Sequence, residues 1–344
     1  MGRPHALMRA GFPYLKTIGM RRSIPTPLDV AFGKEGRIYV LCRNYSVKPL
    51  KVLTIDDESL YDLGPRLWLS TSNRPTPGEL LWPVAVVVDS QENLYISDEA
   101  CHTISVCSME DEDLGEWGEY GDGDGQLNRP SGLAFDSEDN LYVVDTLNHR
   151  VQKFTKDGRF LMNWGRLGDR EGEFNMPWGI AIDELGDIYV SDWRNDRIQK
   201  FTADAEFIFA FGKSGSGDGE LNRPAGVAVD MDGDIYVADW GNRRVQLFND
   251  EGRYIQKFLG DATLSKSTVD YMMLNKKSLR LLDTASVDER KLLDPPGSVR
   301  VDEQGRMFVP DVSSYRVQIY QKQVVRLQPD DLAAPVRAAS LMTT

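Results

Sequence analysis

Short apolar runs with polar residues at alternate positions recur along the chain, separated by turns rich in Gly, Asp and Asn. Pro130-Ser-Gly-Leu-Ala-Phe-Asp, Pro177-Trp-Gly-Ile-Ala-Ile-Asp and Pro224-Ala-Gly-Val-Ala-Val-Asp each read as a short strand running into a tight polar turn such as Ser137-Glu-Asp-Asn or Met231-Asp-Gly-Asp. A second strand follows in each unit: Leu141-Tyr-Val-Val, Ile188-Tyr-Val-Ser and Ile235-Tyr-Val-Ala. β-branched and aromatic residues dominate both strands, as half-buried pleated surfaces favour. After an aspartate and a loop comes a third strand, Arg150-Val-Gln-Lys-Phe, Arg197-Ile-Gln-Lys-Phe or Arg244-Val-Gln-Leu-Phe, in which apolar and polar residues alternate. A Gly-containing turn leads to a fourth: Phe160-Leu-Met-Asn-Trp, Phe207-Ile-Phe-Ala-Phe and Tyr254-Ile-Gln-Lys-Phe.

The unit repeats. Pro27, Pro83, Pro130, Pro177, Pro224 and Pro296 open the same phrase, the three central intervals are 47 residues each, and in five units an aspartate follows the proline by 15 residues. Four strands repeated six times predict an all-β, six-bladed β-propeller. No helix-length segment lies between the strands, which excludes a βαβ fold. The phrases Pro-x-Gly-[Val/Ile/Leu]-Ala, Tyr-Val-x-Asp and Asn-x-Arg-[Val/Ile]-Gln-x-Phe resemble the NHL repeat, and residues 14–323 resemble a six-bladed NHL propeller. The likeness is strongest in the units led by Pro130, Pro177 and Pro224. Cys42 replaces the aspartate in the first unit, and Thr103 replaces the arginine in the second. Asp192-Trp193 and Asp239-Trp240 suggest a WD repeat, but the Gly-His half of that signature is missing. The last unit supplies only three strands, and Tyr14-Leu-Lys-Thr-Ile-Gly is expected to add the fourth and close the ring, which would remove exposed edges. Residues 1–13 then form a lead and 324–344 a loosely attached tail.

A single domain of 344 residues suits a closed repeat array, and a hydrophobic fraction of 41% supports a large core. The net charge of -13 makes nucleic acid an unfavourable partner, because a phosphate backbone would be repelled. No apolar run is long enough to span a membrane, and Met1 to Phe12 lacks the apolar stretch of a signal peptide. Cys42, Cys101 and Cys107 cannot all pair and lack metal or redox spacing, so a reducing cytoplasm is expected.

Extra sequence is concentrated in the loops between strands two and three and between blades, which share one face. About 25 residues beyond the period lie between Gly260 and Pro296, and about nine in the first unit. In the insertion, about 262–294, Ser267-Thr-Val-Asp reads as a capping box, with Val269, Met272, Met273, Leu279 and Leu282 at helical spacing. This short helical insertion between blades five and six is either a packing ornament or a lid over the central channel with Tyr271 facing a ligand.

The recurrent aspartates Asp98, Asp145, Asp192, Asp239 and Asp311 and arginines Arg150, Arg197, Arg244 and Arg316 occur once per blade, which suits a structural pair rather than chemistry. Nineteen residues after each proline the blades differ: Ser46, His102, His149, Asp196, Arg243 and Tyr315. NHL-like amidating lyases, which cleave peptidyl α-hydroxyglycine, carry zinc-binding histidines in this loop region. That resemblance makes His102 and His149, with Asp196 as third ligand, a candidate zinc site. The third histidine of that pattern has no counterpart, since His5 lies in the lead. Trp178, Trp193 and Trp240 fall at the same face with Arg43, Arg194 and Arg243, a mixture suited to a peptide, carboxylate or flat ligand, although tryptophans also pack between blades. The glycine-rich loops Gly121-Asp-Gly-Asp-Gly, Gly168-Asp-Arg-Glu-Gly and Gly215-Ser-Gly-Asp-Gly lack EF-hand spacing and read as turns between blades. The leading expectation is a propeller that binds a protein, peptide or small-molecule ligand at the elaborated face and channel. The alternative is a lyase or hydrolase in the channel, with His102 or His149 as metal ligand or base and Arg43, Arg194 or Tyr315 polarising the substrate.

Overall fold

The computed structural model describes residues 8–20, 23–43, 48–67, 79–274 and 291–326. Six four-stranded antiparallel sheets are arranged around an axis. Their first strands, Pro27–Phe32, Pro83–Val88, Pro130–Phe135, Pro177–Ile182, Pro224–Val229 and Arg300–Val301, touch one another in sequence around the ring. They therefore line the channel. The sixth sheet takes three strands from the end of the propeller and its outer strand, Tyr14–Ile18, from the beginning, as the sequence predicts. The pairing continues past the ring: Met8–Gly11 lies antiparallel to Gln323–Arg326. The start of the expected tail is thus tied to the lead, while residues 327–344 fall outside the described residues.

The core consists of six clusters, each shared by two neighbouring blades. Tyr39, Tyr142, Tyr189 and Tyr236, from the second strands, are among the largest fully buried side chains. A blade left alone would expose one face of this packing, which is why the repeat closes on itself. Close approach at the channel requires glycine. A Cβ on Gly132, Gly179 or Gly226 would lie 2.6 Å from the Trp178 carbonyl oxygen, 2.3 Å from that of Ala225 and 2.7 Å from the Ser298 Cα. In blade one this repeat position holds Asp29, 1% exposed. Its carboxylate accepts bonds from the Arg300 Nε (2.9 Å) and Nη2 (2.6 Å), the Ser298 hydroxyl (2.5 Å) and the Val86 amide (3.0 Å). The channel waist is thus held by an ion pair joining blades one and six.

The recurrent Asp–Arg pair is structural, as its once-per-blade occurrence implies. Asp145 accepts the Asn128 amide at 2.6 Å, the Asn148 side chain at 2.8 Å and Arg150 Nε at 2.8 Å. Arg150 in turn donates to the carbonyls of Asp122, Gly123 and Gln126. The same clamp recurs at Asp192–Arg197 and Asp239–Arg244, so each glycine-rich loop is fastened through its carbonyls. On the opposite face, Lys153 and Lys200 neutralise the turn carboxylates Asp136 and Asp187 of their own blades. Blade five has Leu247 at that position, and Lys322, just past the last propeller strand, fills in. It lies 2.6, 2.9 and 2.7 Å from Asp230, Asp232 and Asp234.

The insertion forms a helix, Lys266–Leu274, with two corrections to the expected picture. The cap is Ser265, whose hydroxyl accepts the Thr268 amide, and not Ser267. Ser267 instead donates through its amide and hydroxyl to Asp57 in blade one. Together with the bond from the Thr263 amide to the Tyr14 hydroxyl, this seats the helix against the outer strand of blade six and a turn of blade one. It braces the closure seam on the outer wall. Leu279 and Leu282 lie outside the described residues.

Candidate functional site

Three positions of the repeat build the loop-side mouth of the channel. Of the residues after the opening prolines, Leu28, Val84, Trp178 and Gly297 line the opening, Trp178 being the largest, while Ser131 and Ala225 are buried. The residue following the recurrent aspartate, or Cys42 in blade one, forms a second ring: Arg43, Glu99, Thr146, Trp193, Trp240 and Val312. The loop entering each blade adds Trp82 and Pro295. Arg43, Trp82, Glu99, Trp178 and Trp240 converge around a cavity of about 340 Å³. Trp82 and Trp240 remain 47% and 37% exposed, although tryptophan ordinarily hides its ring.

Arg43 lies over Trp82, its guanidinium carbon 4.3 Å from the ring centroid. It donates Nη2 to the Pro83 carbonyl at 2.9 Å, while Nε is buried without a partner. Burial pulls the guanidinium down to about 10, against the opposing pull of Glu99 and Asp98. Neither carboxylate is available to it. Glu99 pairs with Arg129 at 2.9 Å, and Asp98 accepts the backbone amides of Leu81, Trp82, Ala100 and Cys101. On the far side of the mouth Trp193 and Trp240 stand 6.4 Å apart, centroid to centroid, with Arg223 over Trp193 at 5.0 Å and Arg194 at 5.9 Å.

The structure therefore brings together Arg43, Trp178 and Trp240, with Trp193 and Arg194 beside them. The sequence reading missed Trp82, Glu99, Asp29 and Arg300. The second ring was legible at a fixed 16-residue offset from the prolines, one turn of the loop before the offset chosen. The 19-residue positions do a different job. His102, His149, Asp196, Arg243 and Tyr315 all adopt left-handed backbone conformation at the ends of their loops. His102 Nδ1 accepts the Arg129 amide at 3.0 Å, His149 Nδ1 the Met176 amide at 3.0 Å, and Asp196 the Arg223 amide at 2.6 Å. Each side chain latches the strand entry of the next blade. An Nδ1 that accepts an amide N–H carries no proton, which places the ring proton on Nε2, and burial pushes both histidines below their ordinary value. Arg243 is exposed, 4.0 Å from Asp294, and Ser46 lies outside the described residues.

This arrangement does not fit a zinc centre on His102, His149 and Asp196. Their inward-facing acceptors are spent on three separate amides, and among the described residues no three His, Cys, Asp or Glu side chains gather as a metal site would require. Tyr271 lies on the helix at the outer wall and, among the described residues, is not one that lines the mouth; residues 275–290 of the insertion fall outside the described residues. A wider cavity of about 690 Å³ opens at the opposite, short-turn mouth. Several of its rim charges are paired: Arg37 with Glu35, Lys34 with Glu92, and Arg306 with Asp302.

Residues 127–154, 174–201 and 221–248 match the NHL repeat family model. The three central blades thus carry NHL repeats, within a fold of six closed sheets that is a six-bladed β-propeller. No curated protein matches it in sequence. Among solved structures it is similar in fold to a streptogramin B lyase, at 10% identity over 94% of this chain and 100% of that one, with a TM-score of 0.54. A gluconolactonase from Xanthomonas campestris shares 14% identity over 92% of this chain and 90% of that one, TM-score 0.57. A protein of unknown function from Bacteroides thetaiotaomicron shares 16% over 92% and 76%, TM-score 0.59. At these identities the likeness extends to the fold alone.

Proposed function

We propose that the protein is a binding propeller whose ligand occupies the loop-side mouth of the channel, held by Trp82, Trp178, Trp240 and Arg43 and flanked by Trp193, Arg194 and Arg243. One observation carries this reading: tryptophans from three blades meet at a single opening around an arginine that has no ion partner among the described residues. Exposed tryptophan surface is costly in water, and its concentration at a concave polar-edged site suits recognition of a flat or aliphatic body. The lyase or hydrolase alternative receives less support, because His102 and His149 are engaged as latches. All three cysteines are free thiols, which supports a reducing compartment such as the cytoplasm. Among the described residues no helix is long and apolar enough to cross a membrane.

The test is a saturation-transfer NMR screen of aromatic, sugar and short-peptide probes on the full chain and on the Trp178→Ala/Trp240→Ala double variant. Probes that bind the wild type should lose their signal in the folded variant. Undiminished binding to the variant would place the ligand elsewhere and overturn the reading.

A further inference from the structure

We infer that the mouth selects a monoanionic, carboxylate-bearing small molecule with a flat apolar body, its carboxylate bound by Arg43. The inference rests on the mouth being the binding site and adds the charge and shape of what enters. Arg43 is the one cation of the cavity lining, and among the described residues it has no ion-pair partner. Its Nε is buried and unbonded, and among the described residues its one hydrogen bond goes to a neutral carbonyl. The neighbouring carboxylates are already committed, Glu99 to Arg129 and Asp98 to four backbone amides. One positive charge with unmatched donors thus remains in a partly dehydrated site, which lowers the stability of its charged form.

An anion restores the balance. A carboxylate presents two oxygens to the planar guanidinium and can accept from its terminal nitrogens, supplying the counter-charge that its neighbours do not. A cation would meet like charge, and a neutral amide would leave the charge uncompensated. The Trp82 ring, 4.3 Å from the guanidinium carbon, occupies one side of the group, so the carboxylate approaches from the cavity side. The remainder of the ligand then lies toward Trp178 and Trp240, across Leu28, Val84 and Val312. A cavity of about 340 Å³ admits a bicyclic body but no folded peptide.

Indole-3-acetate, indole-3-acetamide and tryptamine share one flat body and carry negative, zero and positive charge. Isothermal titration of the full chain with each should give tightest binding for the acetate, with the amide weaker by about tenfold or more, as loss of a charge-assisted hydrogen bond implies. Arg43→Gln should weaken the acetate by a similar factor and leave the amide nearly unchanged. Should Arg43→Gln fail to fold, Arg43→Lys keeps the charge without the fork and is expected to bind the acetate several-fold more weakly. Equal or tighter binding of the amide or tryptamine, no binding of any of the three at millimolar concentration, or acetate affinity untouched by Arg43→Gln overturns the inference. In the first and last cases, binding that disappears in Trp178→Ala would leave the mouth as the site and remove only the anion preference.

Discussion

Each of the two propeller histidines spends its Nδ1 lone pair on an amide of the next blade, and this has a pH signature. Burial lowers both folded-state pKa values below the ordinary histidine value of about 6.5. A depressed histidine contributes stability above the unfolded pKa, and this is lost as pH falls from about 6.5 through the lower folded value, because the unfolded chain takes up the proton first. Wild-type urea midpoints should therefore fall between pH 7.5 and 5.5 more than those of His102→Asn/His149→Asn, in which the amide oxygen can accept the same bond without titrating. Equal falls would contradict the latch. These histidines were visible in the sequence as a variable loop position, but their role was not. A sequence position gives no direction for an imidazole nitrogen, and a metal ligand and an amide acceptor look alike until the neighbouring blade is in place. Arg43 and the tryptophans were more legible, because an arginine or aromatic in the place of a small loop residue stands out against its counterparts in other blades.

The element that best separates the periodic from the aperiodic is the acidic turn of blade five. In blades three and four the third strand supplies its own lysine, whereas Leu247 forces blade five to borrow Lys322 from beyond blade six. Lys322→Met leaves Asp230, Asp232 and Asp234 without their shared counterion, and unfolding free energy should fall by about 3–5 kcal/mol in chemical denaturation. Adding Leu247→Lys should recover part of that loss by restoring the arrangement of blades three and four. No loss in the single variant would contradict the clasp. At the channel, Gly179→Ala drives a methyl against the Ala225 carbonyl and should cost about 1–3 kcal/mol in the same assay. Strands and turns were readable because alternation repeats in all six units and glycine placement in the three central ones. The insertion was not, because a segment outside the period carries no register to say where it lies. Its helix was recognisable from spacing, although the capping serine is Ser265 and not the expected Ser267, and Asp57, which decides its seat on the outer wall, is some 200 residues away in the chain.

At the scale of the whole molecule, closure by Tyr14–Ile18 buries Ile18 completely and covers the edge of Arg316–Gln321. Removing residues 1–19 should expose that edge, lower Tm and produce concentration-dependent association in light scattering. A monomer of unchanged Tm would show the ring to be closed by other means. Ring closure was legible because the sixth unit lacks its outer strand while the chain's beginning supplies one. The ring in turn fixes the mouth, since each blade delivers one residue per repeat position to the same circle. The most direct test of this account is a two-dimensional NMR titration that follows the indole N–H signals of the seven tryptophans as indole-3-acetate is added. The signals of Trp82, Trp178 and Trp240 should shift together in a saturable way, while those of the interblade Trp117 and Trp164 stay in place. Shifts confined to other tryptophans, or no saturable shift at Trp178 and Trp240, would contradict it.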